Sequence, residues 1–201
     1  MSLVELIARA DARGLAASGL ACLDRCVPLL DGDDEALRPL WALLADDADD
    51  ADDADDADDA CGAAGRDWAE GLAQVRDKLA GPDAGGEDEA VVLARRMLEA
   101  APAACTGPAL RTWADACSVA SLRIHRLLDP VGDAAREADV PRDGGTEGLP
   151  PLVAAELRRQ TGVLELLADR GVAGLRPALE VSTEGRRVLR AVVSRRARGR
   201  A

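Results

Sequence analysis

The sequence predicts an all-α protein: a helical bundle of about six to eight helices carrying one acidic low-complexity loop. Three observations predict it. Ala and Leu supply 69 of the 201 residues, and both are strong helix formers. β-branched residues are few. Seven segments carry helix-forming composition or place apolar residues at the i, i+3, i+4, i+7 spacing of a buried helix face.

The first helix reads from Ser2 to Arg13. Ser2 and Glu5 make the S-x-x-E capping box, and Leu3, Leu6, Ile7 and Ala10 form the stripe. Gly14 is a natural stop. A second helix starts near Leu15 or Ser18 and ends at Val27, because Pro28 disfavours helical geometry in the residue before it. Asp31, Asp33, Asp34 and Glu35 suit the positive end of a third helix, whose face is Leu37, Leu40, Trp41 and Leu44. Pro39 leaves its first residue open.

Residues 46–60 hold five Asp-Asp-Ala copies. A three-residue repeat advances about 300° per copy, so its alanines never build a helix face. Asp is also a poor helix former, and a solvated loop is expected. Helix four follows over about 63–80, with Trp68, Leu72, Val75 and Leu79 facing inward. Helix five covers about 87–100, with Val91, Ala94 and Leu98 as its buried face. Helix six spans Pro108 to Leu128, striped by Leu110, Trp113, Cys117, Ile124 and Leu128. Pro150 and Pro151 fit the first turn of helix seven, which runs to Arg170 and is open to interruption at Thr161-Gly162. From Gly171 onward two readings stand. Thr183 begins a terminal helix, or a turn at Thr183–Arg186 joins two strands. In domain terms, 1–128 reads as a helical bundle interrupted by the Asp-rich loop 46–60. Residues 129–148 read as a linker, and 149–201 as a C-terminal helical segment with a basic tail.

The net charge is −12, of which residues 46–59 alone supply ten Asp. The last sixteen residues carry seven Arg and no acid. An acidic insert and a basic tail therefore sit on a nearly neutral body. Phe, Tyr and Asn are absent and Lys occurs once, the codon pattern of a GC-rich genome of actinobacterial, hence bacterial, kind. The N-terminus reads as neither a signal peptide nor an anchor, and no apolar run approaches the ~18 residues of a membrane span. Five irregularly spaced cysteines argue against a disulfide framework. A cytoplasmic location is expected.

Chemical motifs are sparse. D-D-x-x-D, as at Asp46, Asp47 and Asp50, is the pattern of a Mg²⁺-diphosphate site, but here repetition alone generates it. Cys22 and Cys26 lie four apart on one helix face, a spacing that suits two soft metal ligands. The other cysteines are not paired at ligand spacing, so core packing is the expected role. His125, the single histidine, flanks the stripe of helix six. The negative end of that helix favours its protonated form, and a structural or solvent-facing role is expected. One histidine excludes a di-iron E-x-x-H pair and H-E-x-x-H. No G-x-S-x-G, Walker A or strand-borne G-x-G-x-x-G occurs. No enzyme, cofactor or metal is therefore expected.

Length and helicity suit the TetR family, although its N-terminal helix-turn-helix pattern is lacking. Val181-Ser182-Thr183-Glu184-Gly185-Arg186-Arg187-Val188-Leu189 resembles the L-T-x-x-G-R-x-L-L run that follows the wing in MarR- and PadR-type winged helices. Leu167–Val172 resembles the end of their recognition helix. The likeness covers about 25 residues and implies a wing hairpin ahead of Thr183. The leading expectation is a non-catalytic cytoplasmic protein acting through association with a protein partner or itself. The alternative is a transcriptional regulator binding DNA through Arg186, Arg187, Arg190, Arg195 and Arg196.

Overall fold

A computed structural model describes residues 1–46, 65–80, 88–129, 142 and 145–200. It is all-α, with no strand among the described residues. The helices are α1 (Leu3–Arg9), α2 (Ala12–Cys26), α3 (Arg38–Asp46), α4 (Gly65–Leu79), α5 (Glu89–Glu99), α6 (Gly107–Leu128), α7 (Pro151–Arg170) and α8 (Leu175–Arg200). No helix among the described residues is long and apolar enough to cross a membrane.

The Ser2–Glu5 capping box forms in both directions. The expected first helix is nevertheless two. The Asp11 side chain accepts the Gly14 N–H at 2.6 Å and caps α2, while the chain is extended at Ala10 and Asp11. Gly14 is thus inside α2 and stops nothing. Here a strong Asp cap outweighed a continuous apolar stripe.

α2 is the axis of the molecule. Fourteen of its 15 residues are buried, which requires neighbours on every side. It packs on α6, α8 and α7, and more lightly on α3 and α5. Gly19 sets the α2–α6 approach: a Cβ there would lie 2.5 Å from the Trp113 ring. As expected, α2 ends before Pro28, in a 3₁₀ turn over Val27–Leu29.

On the outer side of α6, α4 and α5 gather round two tryptophans. Trp68 and Trp113 meet edge to face, with ring centroids 6.4 Å apart. Their indole N–H groups donate to Pro102 O and Met97 O, both at 2.9 Å, so neither buried ring leaves a polar atom unsatisfied. Trp41, Trp68 and Trp113 are all buried, as are the predicted faces of α3, α4 and α6. α5 is rotated from its expected setting: Ala90, Ala94, Met97 and Leu98 are buried, and Val91 is half-buried.

α7 runs through Thr161-Gly162 without a break. The segment after Gly171 is a 3₁₀ turn and then the continuous helix α8, so the hairpin alternative and the implied wing are both overturned. α7 packs on α2 and α6, α8 packs on α2 and α7, and both contribute to the same core. Cys22, Cys26 and Cys117 are buried free thiols. Cys105, against expectation, is disulfide-bonded. Most of the Asp repeat lies outside the described residues, as do residues 130–141 and 143–144 of the expected linker.

Candidate functional site

α2 and three of the helices packed on it bring polar side chains together in the core. α2 supplies Cys22, Asp24 and Arg25. α6 supplies Ser118, Ser121 and His125, at i, i+3 and i+7 on one face. α7 supplies Glu156 and Gln160, one turn apart, and α8 supplies Ser182 and Arg186. Arg25, Glu156, Ser121 and Ser182 have no exposed surface, and Ser118, His125 and Gln160 have at most 2%.

Glu156 is the hub. Arg25 grips it bidentately, Nε to Oε2 at 2.8 Å and Nη2 to Oε1 at 2.7 Å, the planar fork that suits guanidinium to carboxylate. Ser121 Oγ and Gln160 Nε2 also donate to Oε1, at 2.7 and 2.8 Å. Gln160 Oε1 in turn accepts from Ser118 Oγ at 2.7 Å. Burial raises the Glu156 carboxyl, but Arg25, His125 and the hydrogen bonds outweigh it, leaving the group at about 2. Burial lowers the Arg25 guanidinium, and Glu156 more than restores it, so its net direction is upward. The pair is ionised.

α8 approaches Arg25 because residue 185 is glycine. A Cβ there would lie 2.4 Å from Arg25 Cδ and 2.9 Å from Cγ. The next residue, Arg186, donates through Nη1 to Asp24 Oδ1. The Gly-Arg step of the winged-helix likeness therefore has a packing role in this chain. Asp24 remains raised to about 6, because burial outweighs the Arg186 charge.

His125 is buried, not solvent-facing. Its Nδ1 lies 2.8 Å from Ser121 O, and a carbonyl only accepts, so Nδ1 carries the proton. Nε2 has no hydrogen-bond partner and faces Glu156 Oε2 at 3.5 Å. Burial lowers its pKa, against the opposing pull of Glu156. The expected protonating effect of the helix end is outweighed by desolvation.

A carboxylate, an imidazole and a hydroxyl in an open cleft would suit acid–base chemistry. Here the Ser121 hydroxyl gives its proton to Glu156, and His125 meets the Ser121 carbonyl, not its oxygen nucleophile. Three surface clefts of about 470, 350 and 330 Å³ are lined by other residues. Burial raises the Cys22 thiol to about 12 and pushes Cys26 and Cys117 up as well, which keeps them unreactive. No group of three or more His, Cys, Asp or Glu able to hold a metal occurs among the described residues.

The five arginines of the nucleic-acid reading divide. Arg186 is buried against Asp24 and lies 3.3 Å from Asp34. Arg190 pairs with Asp34 at 2.7 Å. Arg196 is 3.4 Å from both Asp88 Oδ2 and Leu127 O. Arg187 and Arg195 are exposed.

Sequence reasoning passed over Arg25, Glu156, Gln160 and the two serines of α6. The available signal was a polar residue inside an apolar stripe on each of three helices. Their pairing was not available, because Arg25 and Glu156 are 131 residues apart. No protein-family model, curated protein or solved structure matches this chain.

Proposed function

We propose that this chain is a non-catalytic bacterial protein that acts by associating with a protein, itself included. One observation carries the reading. Its densest set of reactive side chains is sealed in the core, at most 2% exposed for the seven residues from Arg25 to Ser182, and is spent on holding four helices together. What the molecule does is then done by its surface. A cytoplasmic setting belongs to the same proposal. The three free thiols support it, and the Cys105 disulfide weighs against it.

The DNA-binding alternative ranks second. Arg187 and Arg195 favour it by their exposure, but Arg186, Arg190 and Arg196 are already engaged within the chain. A net charge of −12 also repels a polyanion at long range. The test is light scattering across concentration, combined with reciprocal capture from the native host. A concentration-dependent mass, or a partner recovered in both directions, supports association. A monomer that captures no protein but binds duplex DNA in a salt-dependent way replaces it with the second reading.

A further inference from the structure

The unpaired charge of α8 points to how such association is built. Arg187, Arg195 and Arg198 are exposed. On the helix circle they fall within about 80° of one another, over about 16 Å of axis. Ala191, also exposed, lies in the same sector and exposed Ser194 about 20° beside it, and no acid follows Glu184. From Arg187 onward α8 therefore offers a cationic face with small residues between the guanidinium groups. The strongest polyanion in the chain is its own Asp-Asp-Ala repeat, whose acids are likewise spaced by small residues.

The described helix that follows the repeat and the arginine-bearing end of α8 meet α6 at different heights. Trp68, one turn into α4, packs on Trp113. Arg196, between Arg195 and Arg198, donates to Leu127 O. Trp113 and Leu127 are fourteen residues apart on α6, about 21 Å along its axis. A molecule that carries both a cationic helix face and a polyanionic segment is complementary to a second copy of itself, a heterologous contact that extends or closes into a ring.

We propose that the exposed arginine face of α8 docks the Asp-Asp-Ala repeat of a second copy of this chain. This rests on the association reading and deepens it. Guanidinium–carboxylate pairs at an exposed face are individually weak, so the contact is multivalent, reversible and salt-sensitive.

The experiment uses the full chain in three forms: wild type, R187E/R195E/R198E, and a form with every Asp of 47–59 replaced by Ser. Mass is followed by light scattering against concentration, and circular dichroism checks that helix content is kept. Wild type is expected to associate at ~20 mM salt and to weaken about tenfold or more by ~300 mM, as the Debye length falls well below the bundle's dimensions. Each variant alone is expected to be monomeric. Mixed, they should form a 1:1 complex and nothing larger, since one retains only the face and the other only the repeat. A wild type that associates while the variants do so equally overturns this proposal and leaves the association reading standing. A monomeric wild type that captures no protein overturns both. A monomeric wild type whose mixed variants also fail to pair, or an arginine face that takes duplex DNA in preference to the repeat-bearing variant, overturns the docking assignment.

Discussion

Four hydrogen-bond donors converge on the Glu156 carboxylate, and that number decides what the residue is worth. A buried ion pair gains little over a well-packed apolar pair, but removing one partner strands a charge. R25M or E156Q alone should therefore cost about 3–5 kcal/mol in chemical denaturation. The double variant R25M/E156Q should cost less than the sum, with a coupling of about 1–3 kcal/mol. Additive losses would mean that the two groups do not depend on each other. The pH dependence has two limbs of opposite sign. Glu156 is depressed from 4.5 to about 2, so its contribution is present above pH 4.5 and lost as pH falls towards 2. Asp24 is raised from 3.8 to about 6. The folded state binds its proton more readily, so its contribution is present below pH 3.8 and lost as pH rises through 6. His125, lowered from 6.5, contributes above 6.5 and loses that as pH falls. Comparing D24N with wild type cancels the His125 effect. The stability difference, wild type minus D24N, is expected to fall between pH 4 and 6. A difference flat with pH would show that Asp24 is not perturbed.

The helices show one substitution with two signs. Gly162 lies mid-way along α7, and nothing is within 4 Å of a Cβ placed there. G162A should therefore gain the helix-propensity difference, up to about 1 kcal/mol. Gly185 lies within α8, where the same propensity favours Ala. There the new methyl meets an Arg25 side chain held by two hydrogen bonds to Glu156, and G185A should lose about 1–3 kcal/mol. Thermal melts of the two single variants check both; a gain at both positions would mean that α8 can move away from α2 freely. The contrast also explains what the stripes conveyed. The faces of α3, α4 and α6 were legible because burial on one side imposes a 3.6-residue period. α2 was less so, because a helix buried all round has no polar face to set against its apolar one. The break at Ala10 was hidden for another reason: capping by Asp11 is a local hydrogen bond that an apolar count does not register.

At the scale of the whole molecule, the Asp repeat, which has no apolar face in its sequence, is expected to be separable in energy from the bundle. Replacing every Asp of 47–59 by Ser should change stability by no more than about ±1 kcal/mol, typical of surface changes that touch no packed feature. At low ionic strength the change should favour the variant, since adjacent carboxylates repel. A loss of several kcal/mol on calorimetry would show that the repeat is part of the core after all. W113A is the opposite case. Its ring fills the gap left by Gly19 and meets Trp68, so the substitution should cost about 3–5 kcal/mol.

The sequence by itself determined the fold class and the buried faces of α3, α4 and α6, because periodicity and propensity are properties of single segments. Tertiary structure alone decided that Glu156 would face Arg25, that His125 would be buried with its pKa lowered, that residues 175–200 would be helix, and that three C-terminal arginines would be spent inside the chain. Each of these depends on what a segment meets. Burial supplies the desolvation that shifts a pKa, and a polar group in an apolar stripe survives there only if a distant helix brings its partner. A short run such as Val181–Leu189 is compatible with strand or helix until α2 offers it a surface into which only glycine fits.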